Sequence, residues 1–169
     1  KDYSKAIELM PEDADNYSNR SDCYIALEDN DNALIDLSKA IDVSEDDDKA
    51  GYILDRADFY GNNENQELAL VDYKSVLEIT DIDLENKFRA INNRALIYED
   101  QENYEKAINE YSYIIDNFSD KLDNESLAMA YRNRAWVNEL FVEEYDKAIK
   151  DYSKAIELMP EDADNYSYR

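Results

Sequence analysis

Apolar and small residues recur along this chain at helical spacing, not at the alternation of a strand. Tyr17, Arg20, Ser21 and Tyr24 stand at i, i+3, i+4 and i+7, which puts them on one face of a helix. Ala33, Leu37, Ala40 and Ile41 follow at i, i+4, i+7 and i+8. The two stretches predict a pair of amphipathic helices, A and then B. The pair then repeats. Ala33, Ala69, Ala107 and Ala148 are separated by 36, 38 and 41 residues, in stretches such as Tyr104-Glu-Lys-Ala107-Ile and Tyr145-Asp-Lys-Ala148-Ile. Arg20, Arg56, Arg94, Arg134 and Arg169 recur at 36, 38, 40 and 35. In the four complete units the arginine precedes a small residue (Ser21, Ala57, Ala95, Ala135), and three residues later comes Tyr24, Tyr60 or Tyr98, with Asn138 in the fourth. Small residues at fixed places let two helix backbones approach closely.

Pro11 and Pro160 follow helix B segments, and proline ends a helix because it lacks the N–H and clashes with the preceding turn. Glu12, Asp13, Glu161 and Asp162 then open the next helix A, where carboxylates complement the helix dipole. Complete units are expected at about 13–45, 49–82, 84–120 and 123–160, with a partial unit at 1–11 and another at 161–169, as one domain over 1–169.

Helix–turn–helix units with small packing residues, neighbouring aromatics and a closing proline resemble the tetratricopeptide repeat family. The resemblance covers the whole chain. It implies an all-α, right-handed superhelical solenoid of antiparallel helix pairs, with four full repeats and partial repeats at both ends. It also implies a concave groove lined by helix A that takes a peptide or a partner helix. The closing proline is replaced by Glu45, Asp81 and Ser119 in the middle units. The links there, 45–48 and 119–124, are expected to be the most mobile parts.

Residues 1–20 and 150–169 differ at one position only, Asn19 against Tyr168. The internal units share far fewer positions, so a longer period of four units overlies the short one. Tandem near-identical blocks and an engineered or local duplication both account for it. Solenoid units need neighbours to bury their faces. Tyr3, Ala6, Ile7 and Met10 stand on a helix B lacking its helix A, and Tyr166 on a helix A lacking its helix B. The expectation is head-to-tail association or exchange of terminal helices, since heterologous contacts propagate.

Composition narrows the chemistry. Only two Gly and two Pro occur among 169 residues, and 44% are apolar, which suits long helices around a core. Lys plus Arg is 18 against 42 Asp plus Glu, a net charge of −24. Such a field repels nucleic acid and anionic membrane surfaces, so neither is expected as a partner. No apolar run of about 18 residues is present, so no membrane insertion is expected, and no signal segment is visible. The localisation expected is that of a soluble chain of unknown compartment. There is no His, and Cys23 is the single cysteine. Triads, most zinc sites and internal disulfides drop out. Cys23 is expected as a packed thiol. No cofactor, metal or catalytic residue is expected. Acidic stretches such as 28–32, 45–48 and 81–83 lack the calcium-loop spacing and read as solvated links.

Two residue sets remain. Asp2, Asp36, Asp72, Glu110 and Asp151 on helix B precede Arg20, Arg56, Arg94, Arg134 and Arg169 by 18 to 24 residues. They predict a ladder of ion pairs from each repeat to the next, arginine being suited to semi-buried bidentate pairing. A row of arginines for ligand carboxylates is the alternative. On the groove face of helix A the candidates are Asp22, Leu54, Asp58, Arg89, Asn92, Leu96, Arg132 and Trp136, with Ser18, Ile25, Gly61, Glu99 and Glu139 beside them. Trp136, the only Trp, is either a groove anchor or a cover for the lengthened turn 140–144. Family members that clamp a C-terminal carboxylate use Lys and Asn. Asn92, Asn93 and Asn133 fit but the lysines are missing, so the partner expected is a protein or peptide, with a basic or neutral one favoured over an acidic one.

Overall fold

The computed structural model describes residues 2–162, the side chains of 46 and 47 excepted. Arg169, Tyr166 and most of the partial unit 161–169 lie outside the described residues. Those described form nine helices and no strand. They are α1 (Tyr3–Leu9), α2 (Ala14–Ala26), α3 (Asn30–Val43), α4 (Asp46–Asn62), α5 (Gln66–Leu77), α6 (Leu84–Asp100), α7 (Tyr104–Phe118), α8 (Asn124–Leu140) and α9 (Tyr145–Leu158). The chain is all-α and built of helix pairs. It divides into two compact units, Lys1–Asn86 and Lys87–Arg169.

Links of three or four residues join helix A to helix B (27–29, 63–65, 101–103, 141–144), too short for anything but antiparallel neighbours. Their chemistry repeats. Helices α2, α4 and α6 close with the amide of Asp29, Asn65 or Asn103 donating to the carbonyl of Tyr24, Tyr60 or Tyr98, at 2.8–2.9 Å. That is the six-to-one bond of a Schellman ending. The residue before each amide turns left-handed: Glu28 at φ 58°, Glu64 at 60°, Glu102 at 57°. In the fourth pair Glu143 is at 58°, and the Glu144 amide reaches back to the Asn138 carbonyl at 2.8 Å. The residue that ends helix A also opens helix B. The Asp29 side chain accepts from the Asn32 amide, and the Asn103 side chain from the Lys106 amide. Such caps satisfy orphan helix N–H groups.

The acidic run 45–48 is not a link. Asp46 begins α4, with Glu45 extended in front of it at ψ 161°. Asn30 and Asp31 likewise open α3. Among the expected links, Asp81 keeps a non-helical place, at φ 63°.

Alanines mark where backbones meet. Ala33, Ala40, Ala57, Ala69, Ala95, Ala107, Ala130, Ala135 and Ala155 are all fully buried. In the first unit, Ala14, Tyr17 and Ala40 form a cluster with Ile7, Val43 and Tyr52, so it draws on α1 to α4. Ala33, Leu37 and Phe59 form the next, with Tyr24, Leu34 and Tyr60 against them. In the second unit Ala135, Ala148 and Tyr152 join α8 to α9. Cys23 is exposed rather than packed. It falls on the side of α2 opposite Ser21, which is buried.

The arginine–acid pairs exist, but within repeats and not between them. Arg20 holds Asp36 through Nε and Nη2 at 2.6 and 2.7 Å. Arg56 holds Asp72 in the same way at 2.8 and 2.9 Å, and Arg134 holds Asp151 at 2.7 and 2.8 Å. Arg94 makes one bond, Nη2 to Glu110 at 2.7 Å. Glu110 therefore pairs with Arg94 and not Arg134, Asp36 with Arg20 and not Arg56, and Asp72 with Arg56 and not Arg94. Among the described residues Asp2 pairs with no arginine. It caps α1 by accepting from the Lys5 amide. The reason is geometric: a short hairpin brings the middle of helix A onto the middle of its own helix B. The link between repeats is a serine. The third arginine nitrogen donates to Ser4 from Arg20, to Ser38 from Arg56 and to Ser112 from Arg134, at 3.2, 3.4 and 3.0 Å. Arg20, Arg56 and Arg134 thus each tie three helices.

Candidate functional site

The groove candidates separate by register on helix A. Two residues before the repeating arginine, the chain turns inward in the second and third repeats, whereas Ser18 and Arg132 in the same register are half-buried. Leu54 is fully buried and Asn92 is 6% exposed. Both are packing residues, which corrects their placement on an open face. Two residues after the arginine the chain faces outward. Asp22 is exposed, Asp58 half-buried, Leu96 43% exposed and Trp136 half-buried. Arg89 and Arg132 are half-buried on α6 and α8. Asp22 and Asp58 belong to the first unit, and Leu96, Arg132 and Trp136 to the second.

Within the second unit the structure brings three of the candidates together. Leu96 and Glu99 from α6, with Arg132, Asn133 and Trp136 from α8, line one cavity of about 220 Å³. Trp136 therefore lines this cavity. At the turn 140–144 the Phe141 ring stacks on Tyr104 at 4.3 Å and 9°. The floor is fixed by polar bonds. Asn133 Nδ2 donates to Asn92 Oδ1 at 3.2 Å, and Asn92 Nδ2 to Asn93 Oδ1 at 3.1 Å. The asparagines that could have clamped a carboxylate are engaged with one another. Arg132 Nη1 lies 3.2 Å from Asp162 Oδ2, so its charge is matched by an acid.

Carboxylates on helix A are held from beneath by buried phenols. Tyr111, 0% exposed, donates to Glu99 at 2.5 Å. Tyr152 donates to Glu139 at 2.9 Å. In the first unit Tyr73 donates to Asp58. Each tyrosine directly follows the helix B acid that pairs with arginine, as in Asp72-Tyr73, Glu110-Tyr111 and Asp151-Tyr152. The first repeat has Leu37 there and no such bond. Sequence reading placed Glu99 and Glu139 on the face but missed their anchors. The tyrosine after each acid was the available signal.

Electrostatics follow from this burial. Burial pushes the Glu99 carboxyl above its ordinary value of 4.5, the Tyr111 bond pulls it down, and Asp100 adds to the rise. Burial, then the Glu99 charge and the bond to it, push the Tyr111 phenol far up, with Asn133 partly offsetting them. In the first unit burial and then Asp55 raise Asp22. Burial and then the bond to Asp15 raise Tyr52. The repeating arginines sit near aromatic rings: Arg20 by Tyr24 at 5.8 Å, Arg56 by Tyr60 at 6.0 Å. In the fourth repeat, where Asn138 replaces the tyrosine, Arg134 turns to Tyr131 at 5.8 Å. Among the described residues no group of acids and cysteine is arranged to hold a metal ion. No helix there is long and apolar enough to cross a membrane.

Antiparallel helix pairs repeating at this period, with alanine contacts and an outward helix A face, define a helical-hairpin repeat protein. Two sequence profiles described as tetratricopeptide repeat match residues 86–161 and 14–47, together about two thirds of the chain. The chain belongs to the tetratricopeptide repeat family. No curated protein matches it. Among solved structures, MamA is similar with a TM-score of 0.71 and 17% identity, over 96% of this chain and 87% of that one. YrrB, described as a TPR protein with an unusual peptide-binding site, gives 0.67 and 19%, over 98% and 78%. PilF of Pseudomonas aeruginosa gives 0.72 and 17%, over 94% and 66%. At these identities the likeness is one of fold.

Proposed function

We propose that this chain is a non-catalytic protein-interaction scaffold that binds a peptide or partner helix on the helix A face of its second unit. The observation that carries the reading is the meeting of Leu96, Glu99, Arg132, Asn133 and Trp136 around one cavity. An apolar residue and a tryptophan beside a few fixed polar groups are what a peptide anchor needs. The peptide-binding site described for YrrB supports the reading by analogy of fold. Peptides selected from a random library on the wild-type chain are expected to bind Trp136→Ala at least about tenfold more weakly, since tryptophan truncations in interface centres cost 2 kcal/mol or more. Equal binding to both chains would remove the proposal.

A second reading, head-to-tail association of copies, has its own observation. Helix α1 seats on α2 through Tyr3 to Asn19 at 3.5 Å, Ser4 to Arg20 at 3.2 Å, and Ile7 in the core cluster. The same sequence recurs within α9, where Ser153 and Ile156 are half-buried and Tyr152 is already taken up by Glu139. Helix α9 of one copy thus carries Ser153 and Ile156, on which α2 of another could seat. Sedimentation should show mass rising with concentration; a monomer at every concentration up to about millimolar would rule it out.

A further inference from the structure

The peptide face of the second unit has a charge preference written into its supports. Glu99 borders the cavity and is held by a phenol from the core side, at 2.5 Å. Glu139 stands three residues beyond Trp136 on α8 and is held in the same way by Tyr152. A carboxylate fixed at one oxygen by a buried donor has lost its rotamer freedom before any ligand arrives, and a preorganised acceptor binds a cation at lower entropic cost. The cation lining the cavity, Arg132, is already matched by Asp162. The remaining charge at the site is therefore negative, on a chain of net −24. Trp136 and Leu96 line the cavity together with Glu99, and an indole and an aliphatic chain beside a carboxylate are a setting in which a Lys or Arg side chain gains both cation–π attraction and burial of its stem.

We propose that the occupant of this face is a lysine- or arginine-bearing peptide, its cationic head at Glu99, its stem against Trp136 and Leu96, and a second basic residue at Glu139. The proposal rests on the scaffold reading above and specifies its partner. An acidic peptide would meet Glu99, Glu139 and an arginine already engaged. Like-charge contact of that kind excludes partners more strongly than a rim ion pair attracts them.

Trp136 is the only Trp, so intrinsic fluorescence reads this site directly. Synthetic peptides of about ten residues would alternate alanine with lysine, arginine, glutamine or glutamate, and be titrated against the full chain. The lysine and arginine peptides are expected to perturb Trp136 saturably. Their affinity should fall several-fold between about 50 and 300 mM salt, because screening weakens exposed charge pairs. Glu99→Gln, which keeps an acceptor for Tyr111, should weaken them by about tenfold, a factor of 1.4 kcal/mol. Glu139→Gln should weaken them less, and the exposed Glu105→Gln on α7 not at all. Circular dichroism confirms that each variant is folded. Equal affinity in Glu99→Gln and the wild-type chain overturns the proposal, as does preference for the glutamate peptide or equal loss in Glu105→Gln. If the glutamine peptide binds as well as the lysine one, and Trp136→Ala loses both, the scaffold stands and the charge assignment fails. If no peptide of any charge perturbs Trp136, both fail.

Discussion

At the scale of single residues, the repeating arginine is the best-determined feature of the molecule. Its spacing announced a ladder, and acids for it were found at a fixed place on helix B. What the spacing could not tell is which of two equally periodic acids each arginine takes. Both the preceding and the following helix B offer one in phase, and the hairpin decides for the following one. The third repeat is the imperfect rung. Glu110 replaces aspartate, and Arg94 Nε is buried with no hydrogen-bond partner among the described residues. The longer glutamate places one oxygen on Nη2 and does not reach the bidentate arrangement of the other three. Glu110→Asp should restore it and raise stability by roughly 1 kcal/mol, the net worth of a recovered hydrogen bond. Urea denaturation midpoints would show the change, and an unchanged or lower midpoint counts against this account. Glu99 gives a second residue-scale expectation. Its carboxyl is raised in the folded chain, so the folded state binds the more protons. Its contribution is then present at low pH and lost as pH rises through the range above 4.5. Glu99→Gln should flatten that part of the melting-temperature profile and leave the chain no less stable near pH 7. A steeper profile would mean that the charged form is favoured by the fold.

At the scale of elements, the turns carry the strain. Glu28, Glu64, Glu102 and Glu143 all stand left-handed at the end of helix A, a place where glycine has no steric penalty. A non-glycine residue there costs about 1–2 kcal/mol, and glycine returns part of the gain through its greater freedom in the unfolded chain. Glu28→Gly should therefore stabilise by about 0.5–1 kcal/mol, measured by thermal or urea unfolding. Destabilisation would show that the Glu28 side chain makes a contact worth more than the strain. The helices themselves were legible because the arginine, alanine and tyrosine positions keep helical spacing within each unit. Their starts were less so. The acidic run 45–48 reads as a solvated link by composition, whereas α4 begins at Asp46. Cys23 is exposed although Tyr24 and Ile25 follow it, because neighbours in sequence on a helix point about 100° apart.

At the scale of the whole molecule, two compact units are built from the same hairpin with different faces. The second unit alone brings Leu96, Arg132 and Trp136 to one cavity, and there the fold places a tryptophan and a phenol-held carboxylate side by side. The binding proposals belong to this unit. The association of copies belongs to the segment that α1 and α9 share, and concentration-dependent sedimentation separates it from peptide binding.

The sequence by itself determined the class of fold, the repeat, the helix pairs, the alanine contacts and the recurrence of an arginine on helix A and an acid on helix B. Each of these depends on spacing along one or two helices, and periodicity records spacing. It did not determine which acid meets which arginine, that Leu54 and Asn92 turn inward while Leu96 and Trp136 turn outward, or that Tyr111 and Tyr152 fix the carboxylates of the face. Those depend on where a third helix lies against a pair, and only tertiary packing places it.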